Sequence, residues 1–368
     1  MTGFVGKKGI FMFETRCSVQ LFILLGFGFT SLVSAYEIVP EATIADSPTT
    51  LMGVNHIGLS VKDLDQALAF YQQATGFEMI HRETVRGNSA ADQLFDMPGI
   101  EYETAVLEAP NMLFELTSFL HNSAKMLSRM PAQGPGMTHT CFQSPASRSG
   151  YEKFVRQGAD VLSRGSGPVD LLGQGVTYAY VYDPEGNMIE LEQLDFERLG
   201  RDPRKSEWIE NDRDLWMTQV ALVTHDLERL TNFYAEVMGF PPYREAEIDS
   251  RPTFDDVADI DNLALNVSWF RMSPQSKTLE LWEYINPRTA PFTGNRDVTD
   301  FGYSYSIEVG DIQAEYERMK SLGVEFVSDP VILGEFWQVY ANDIDGNIFS
   351  LRQAVNPDSP YSIPQLEE

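Results

Sequence analysis

The feature that most restricts the fold of this chain is an internal repeat. The segments 51–64 (Leu-Met-Gly-Val-Asn-His-Ile-Gly-Leu-Ser-Val-Lys-Asp-Leu) and 67–77 have counterparts at 215–227 and 230–240. Each copy contains an apolar strand, an Asp-Leu helix start, an amphipathic helix with Phe-Tyr, and a Gly-Phe ending. His56 of the first copy corresponds to Gln219 of the second. A repeat of this length indicates that the chain is built from copies of one structural unit.

A second correspondence lies at the end of each half. Residues 182–191 and 342–351 each contain a tight Asp…Gly-Asn turn between two strands. Further apolar strands are predicted at 113–117 and 136–140, with counterparts at 279–283 and 302–306. Helices predicted near 149–158 and 311–322 each end at a glycine. Each half is therefore predicted to contain two successive units of one strand, one helix and three strands.

The repeat sets the expected boundaries. We predict a first module at 51–195, a charged and irregular linker at 196–213, a second module at 214–354 and a tail at 355–368. Residues 1–35 are predicted to be an export signal, because basic residues precede a short apolar run and small residues precede position 36. That run is shorter than the about 20 residues that span a bilayer. We expect a periplasmic or secreted protein without stable membrane insertion after cleavage, and an uncleaved anchor is the alternative.

The charge of the chain restricts its partners. The 368 residues carry 27 basic and 54 acidic side chains, a net charge of −27, and removal of residues 1–35 would change this to −29. A protein this acidic repels phosphate backbones, so nucleic acid and anionic membranes are poor partners. Removal of the signal also takes away Cys17, which leaves Cys141 without an internal disulfide partner.

The repeated residues resemble the vicinal oxygen chelate superfamily, which includes glyoxalase I, extradiol dioxygenases and small-molecule resistance proteins. The resemblance covers 51–354 and is carried by three motifs: Asn55-His-Ile-Gly-Leu59, Leu113-Phe-Glu-Leu-Thr117 and Asp183-Pro-Glu-Gly-Asn-Met-Ile-Glu190. It implies an α+β fold in which tandem βαβββ units form two cupped mixed sheets. In such folds two units make one cup, and the cup holds one metal ion.

The resemblance implies a set of metal ligands in the first half, namely His56, Glu115, His139 and Glu190. Two imidazoles and two carboxylates suit one divalent ion such as Ni²⁺, Zn²⁺, Co²⁺, Fe²⁺ or Mn²⁺. The strand pattern agrees with this assignment. Residues 57, 59 and 61 are apolar and share one face of the first strand, so His56, Gly58 and Ser60 share the opposite face and can point into a hollow.

The matching positions of the second half are Gln219, Glu280, Tyr305 and Ser350. Only Glu280 is a strong ligand, so we predict a degenerate, metal-free site there. We interpret the nearby Trp269, Trp282 and Tyr284 as core packing in preference to a binding surface.

The four units can pair in two ways. We favour the arrangement in which each half forms its own cup, because it gathers the full ligand set. In the exchanged alternative, one cup would contain Gln219, Glu280, His139 and Glu190, a set that also resembles a glyoxalase pattern. The other cup would then contain His56 and Glu115 opposite Tyr305 and Ser350.

Three functions remain open. The first is a glyoxalase-like lyase or isomerase, in which the metal binds two neighbouring substrate oxygens and stabilises an enediolate. Glu115 or Glu190 would then serve as the general base. The export signal argues against a substrate that contains glutathione, because that thiol is largely cytosolic.

The second function is an extradiol-type Fe²⁺ dioxygenase using His56, His139 and Glu190, with Tyr180 as an active-site tyrosine. The third is a non-catalytic protein that binds small molecules. In each case the partner is a small molecule, and a homodimer is possible.

Overall fold

The computed structural model describes residues 44, 47–120, 129–200, 214–273 and 277–366. The predicted export signal at 1–35 and residues 201–213 of the predicted linker lie outside these ranges. In the described part of the chain, every helix is too short or too polar to cross a bilayer.

Four units with similar element order follow one another. Unit 1 contains β1 (Leu51–Ser60), α1 (Leu64–Thr75), β2 (Glu78–Val85), α2 (Ser89–Leu94), β3 (Tyr102–Glu108) and β4 (Leu113–Phe119). Unit 2 contains β5 (Gly136–Pro145), a 3₁₀ turn (Ala146–Arg148), α3 (Gly150–Arg156), β6 (Asp160–Val161), β7 (Val169–Asp170), β8 (Val176–Tyr182) and β9 (Met188–Leu194).

The second half of the chain repeats this order. Unit 3 contains β10 (Trp216–Val223), α4 (Leu227–Met238), β11 (Arg244–Asp249), α5 (Pro252–Ala258), β12 (Ala264–Arg271) and β13 (Thr278–Asn286). Unit 4 contains β14 (Gly302–Val309), α6 (Ile312–Ser321), β15 (Glu325–Phe326), β16 (Val331–Leu333), β17 (Phe336–Asn342) and β18 (Ile348–Ala354), and the short α7 (Ile363–Leu366) follows.

The strands of the described residues form two mixed sheets, which confirms the predicted α+β architecture. One sheet combines units 1 and 4 in the order β15-β17-β18-β14-β1-β4-β3-β2, with β16 beside β17. The other combines units 2 and 3 in the order β11-β12-β13-β10-β5-β9-β8-β6, with β7 beside β8. We call the hollows of these sheets the terminal cup and the central cup.

The favoured arrangement, in which each half forms its own cup, is therefore wrong. Strand β1 pairs antiparallel with β14 of the other half, with Ile57 opposite Tyr305 and Leu59 opposite Tyr303. Strand β10 pairs in the same way with β5. The reason is that β5 and β14 are similar apolar strands, so both offer β1 an adequate partner. The repeat itself contains no information on which of the two is chosen.

The faces of the first strand are as predicted. Ile57, Leu59 and Val61 belong to a large hydrophobic core that also includes residues of α1, α4 and α6 and of the other sheet. His56, Gly58 and Ser60 line the terminal cup. The main core therefore lies behind the two sheets, and their concave faces are free to carry polar groups.

The predicted Asp…Gly-Asn turns are present, and they tie the two units of each half together. The Asp183 carboxylate accepts hydrogen bonds from its own turn and from the Tyr71 hydroxyl of α1, at 2.9 Å. Asp343 makes the same contacts with its turn and with Tyr234 of α4, at 2.8 Å. This explains the repeated Phe-Tyr of the sequence. Units that are neighbours in the chain stay attached through helix and turn, although they belong to different sheets.

Candidate active site in the central cup

The exchange of units separates the four predicted metal ligands. His56 on β1 and Glu115 on β4 belong to the terminal cup, whereas His139 on β5 and Glu190 on β9 belong to the central cup. The prediction that these four residues form one site is therefore wrong. The physical cause is the pairing of β1 with β14 instead of β5.

The central cup instead brings His139 and Glu190 together with unit 3. Strand β10 lies between β5 and β13, and its Ala221 is opposite both His139 and Glu280. Cys141 of β5 is opposite Gln219 on one side and Glu190 on the other. The cup therefore carries the Gln219, Glu280, His139 and Glu190 set that the sequence offered as the alternative.

Three of these four side chains have buried polar atoms without a protein partner. His139 Nε2, Glu190 Oε1 and Gln219 Oε1 form no hydrogen bond with the described residues. His139 Nε2 lies 3.7 Å from Glu190 Oε2. Buried polar atoms are rarely left unpaired, because each costs about 1–3 kcal/mol. A divalent cation is the kind of group that would satisfy such atoms, and the His139–Glu190 pair fits one. Among the described residues, the acidic, thiol and imidazole ligands that all lie within 4.8 Å of one another are Cys141, Glu190 and Glu192.

His139 is in the form that binds metals. Its Nδ1 lies 3.0 Å from the Thr138 hydroxyl, which can accept a hydrogen bond from Nδ1–H and so leave the Nε2 lone pair free. Burial lowers the pKa of His139 to about 3, so the ring is neutral at pH 7. A neutral imidazole with an unprotonated Nε2 is the usual histidine ligand.

The two carboxylates differ in how they are held. The Glu280 carboxylate accepts hydrogen bonds from the indole N–H groups of Trp269, at 2.6 Å, and Trp282, at 3.1 Å. Burial raises the pKa of Glu280 to about 7, and the two indoles oppose that rise. Burial raises the pKa of Glu190 well above its usual range, with further contributions from Glu280 and Glu192. Acidic side chains this close and this buried favour either a proton or a cation between them.

Glu190 has two further neighbours that could bind a metal. The ligand atoms of Cys141, Glu190 and Glu192 all lie within 4.8 Å of one another, and the Cys141 thiol lies 3.9 Å from Glu192 Oε2. Burial raises the pKa of the Cys141 thiol well above its usual value. Because a thiol binds metals as the thiolate, Cys141 is a weaker ligand here than His139.

Aromatic side chains cover the central set. Tyr180 lies opposite Glu190 on the adjacent strand, and its ring centroid is 5.1 Å from that of His139. Trp269, Trp282 and Tyr284 pack with it in a buried cluster, so they line the cup as well as packing in a core. Arg164 of unit 2 also forms ion pairs with Asp259 and Asp261, which follow α5 of unit 3. The ligand set therefore lies in a buried, aromatic environment where electrostatic interactions are strong.

In the terminal cup, an arginine occupies the polar centre. Arg352 Nη1 lies 2.9 Å from His56 Nδ1 and donates to Asn55 Oδ1, also at 2.9 Å. His56 Nδ1 lies 2.9 Å from this charged donor and 3.1 Å from the acceptor Asn55 Oδ1. The shorter, charge-assisted contact favours the tautomer in which Nδ1 accepts and Nε2 carries the proton. Burial and the Arg352 charge lower the pKa of His56 well below its usual value. In that tautomer His56 presents an N–H group to the cup and does not bind a metal through Nε2.

The predicted match of Tyr305 with His139 is wrong because of a β-bulge. In the pairing of β5 with β10, Ala221 lies opposite His139 but the next residue, Leu222, lies opposite Met137. Thr138 is therefore an extra residue in β5, and it turns His139 into the central cup. Strand β14 has no shift there, and it is Ser304 that lies opposite Gly58. Tyr305 faces the core, where its hydroxyl is 2.7 Å from that of Tyr234.

The residue that the sequence reasoning missed is Arg352. In β18, Phe349 and Leu351 belong to the hydrophobic core, so residues 350 and 352 face the cup. A basic side chain on the concave face of an apolar strand was the available signal.

Comparison with known proteins supports the fold and identifies the family. A family model described as Glyoxalase/Bleomycin resistance protein/Dioxygenase superfamily matches residues 53–191 and 216–351. An ethylmalonyl-CoA/methylmalonyl-CoA epimerase from Cereibacter sphaeroides is 27% identical over 144 residues, which cover 38% of this chain and 97% of the relative. A lactoylglutathione lyase from Arabidopsis thaliana is 26% identical over 196 residues, which cover 52% of this chain and 56% of the relative.

Solved structures with similar folds include glyoxalase I from Zea mays, with a TM-score of 0.55 and 19% identity, which covers 84% of this chain and 94% of that one. A putative dioxygenase from Bacillus subtilis has a TM-score of 0.54 and 11% identity, with coverages of 84% and 87%. At these identities the likeness concerns the fold alone.

Proposed function

Because the chain belongs to the Glyoxalase/Bleomycin resistance protein/Dioxygenase superfamily, we propose that it is a metal-dependent lyase or isomerase of glyoxalase type with its site in the central cup. Gln219, Glu280, His139 and Glu190 would hold one divalent ion. The observation that carries this proposal is the group of buried, unpartnered atoms on His139, Glu190 and Gln219. The substrate would be a small molecule with two neighbouring oxygens.

The protein side chains have distinct tasks in this mechanism. A bound divalent ion would polarise the substrate oxygens and so acidify the adjacent C–H group. Glu190 would take that proton and return it to the neighbouring carbon, because its raised pKa makes it a stronger base than an ordinary carboxylate. Glu280, fixed by two indoles, would remain in place. Glu280 thus takes the ligand position predicted for Glu115 but not its predicted role as a candidate base, and Tyr180 would orient Glu190.

The dioxygenase is less well supported. An Fe²⁺ site of that type needs two histidines and one carboxylate, and the predicted partner histidine, His56, lies in the terminal cup. Among curated relatives, a lyase and an epimerase match this chain. Proton transfer beside a carbonyl group therefore remains the reaction class that we propose.

We also propose that the enzyme acts outside the cytoplasm. This rests on the residue pattern of 1–35, with its basic start and apolar run. N-terminal sequencing of the protein recovered from a periplasmic or culture fraction tests it. A protein that keeps residues 1–35 in the cytoplasmic fraction would contradict export.

The metal site is tested by metal analysis of four matched variants. We expect wild type to hold about one ion per chain after dialysis against Ni²⁺, Zn²⁺ or Co²⁺. His139→Gln and Glu190→Gln should weaken binding by about 10-fold or more, whereas His56→Gln and Glu115→Gln should bind as wild type does. Loss of metal from the His56 and Glu115 variants but not from the other two would refute the site.

Catalysis is tested separately by solvent-proton exchange. In D₂O, the metal-loaded protein should exchange the C–H proton of a small α-hydroxycarbonyl compound, followed by proton NMR. Glu190→Gln should abolish the exchange, whereas Glu115→Gln should retain it. Full activity of Glu190→Gln would eliminate Glu190 as the base.

A further inference from the structure

We propose that the terminal cup is a second, metal-independent binding site for neutral hydroxycarbonyl compounds, in which the guanidinium of Arg352 takes the place of a metal cation. This site is distinct from the central cup and does not depend on the function proposed there. It rests on an open cavity, on buried donors without partners, and on the charge balance around Arg352.

The cavity is large enough for a small organic molecule. Its volume is about 320 Å³, within the range of roughly 300–1,000 Å³ that is common for ligand sites. One part of the wall is aromatic and aliphatic, and it includes Leu94, Phe95, Tyr102, Phe119, Phe336 and Tyr340. Most of the rest of the lining is polar, so the cavity suits a ligand with a flat apolar body that also carries polar groups.

The floor of the cavity offers two hydrogen-bond donors. Arg352 is 7% exposed, and its Nε has no partner among the described residues. The Arg352 guanidinium carbon lies 3.4 Å from the centre of the Phe336 ring, which fixes the plane of the group. His56 is 5% exposed, and Nε2 carries the proton in the tautomer that the contact of Nδ1 with Arg352 favours over the longer one with Asn55. A carbonyl oxygen can accept from both groups at once.

The same floor offers acceptors for a ligand hydroxyl. Glu115 lines the cavity beside His56, and the hydroxyl groups of Ser60 and Ser304 also face it. The Ser60 hydroxyl is buried and has no partner in the described part of the chain. A ligand that combines a carbonyl with a hydroxyl group would therefore satisfy both kinds of site.

The charge around Arg352 selects a neutral ligand. The carboxylates of Glu115 and Glu308 both stabilise the Arg352 charge, since each opposes the lowering of the Arg352 pKa by burial. Glu308 is itself buried and hydrogen-bonded to Asn55. Glu83 and Glu335 also line the cavity, so the carboxylates around it outnumber the guanidinium and an incoming anion would meet net repulsion. A cation that approached the floor would be kept from the Arg352 donors by the like charge of the guanidinium. The arginine also explains why a metal is unnecessary, since a second cation at this point would be repelled.

The test measures binding of three probes of similar size by calorimetry, with EDTA present throughout. The probes are para-hydroxyacetophenone, which is neutral, para-hydroxybenzoate, which is anionic, and phenylethylamine, which is cationic. We expect the neutral probe to bind at least about 10-fold more tightly than either charged probe. Absence of binding by the neutral probe, or binding only after metal is added, would overturn the proposal.

Variants assign the binding to the terminal cup. Arg352→Met keeps most of the side-chain volume and should weaken binding about 10-fold or more, because a hydrogen bond to a charged donor is lost. Glu115→Leu, at a partly exposed position, provides a second variant if Arg352→Met folds poorly. His139→Gln in the central cup is the matched control and should bind the probe as wild type does. Unchanged binding by Arg352→Met or Glu115→Leu, or its loss in His139→Gln, would refute the site.

Discussion

Gly58 provides a direct test of the exchanged pairing of units. In the structure Gly58 on β1 lies opposite Ser304 on β14, and a Cβ added at Gly58 would be 2.4 Å from the Ser304 hydroxyl but 3.8 Å from the Ser304 Cβ. Gly58→Ala should destabilise the protein by about 1–2 kcal/mol, in the lower part of the range for overpacking because a serine hydroxyl can rotate.

Ser304→Ala removes the hydroxyl oxygen that would contact the new methyl group. The Gly58→Ala/Ser304→Ala double variant should therefore recover the stability that Gly58→Ala loses. We expect a coupling energy of at least about 1 kcal/mol between positions 58 and 304. Urea unfolding of the four proteins, followed by circular dichroism, measures it. Ser306→Ala is the matched control, since Ser306 faces the same side of β14 but lies opposite His56. Additive effects at 58 and 304, within about 0.5 kcal/mol, would refute the pairing of β1 with β14.

Two further predictions concern the turn of unit 4 and the cover of the central cup. Burial raises the pKa of Asp343 to about 6, above its value in the unfolded chain. Lowering the pH from 7 to 5 should therefore increase the free energy of unfolding by about 1 kcal/mol through this group. Asp343→Asn should lose this part of the pH dependence, and an unchanged dependence of the unfolding free energy on pH would contradict the prediction. Arg164→Ala removes ion pairs to Asp259 and Asp261, so it should leave the urea midpoint nearly unchanged and speed metal exchange in stopped-flow chelation, with an unaltered rate as the contrary result.

The units could be predicted from the sequence because they depend on local signals. Helix α1 begins at an Asp63 cap and ends at Gly76 with a positive φ, and α4 repeats both features with Asp226 and Gly239. Alternation along β1 correctly assigned its two faces. These signals act over a few residues, so a single sequence reveals them.

The partner of each unit could not be predicted, because strand pairing depends on contacts between distant segments. The choice between β5 and β14 is made by the whole surface that each unit presents, including contacts such as Asn111 with Met217, at 2.6 Å between the sheets. The predicted metal site of His56, Glu115, His139 and Glu190 was wrong for the same reason, because it required β5 to pair with β1. The bulge at His139 also escaped detection, because an ungapped match assigned Tyr305 to its position.

The pairing of β1 with β14 has a consequence for synthesis of the chain. About 240 residues separate the end of β1 from the start of β14, which takes tens of seconds at roughly 5–20 residues per second. During that interval β1 can pair with β4 on one side, but its other edge has no partner, and an open strand edge can template aggregation. Strand β5 emerges much earlier and offers the contiguous pairing. The nascent chain must therefore leave the first available partner of β1 unused until the last unit has been made.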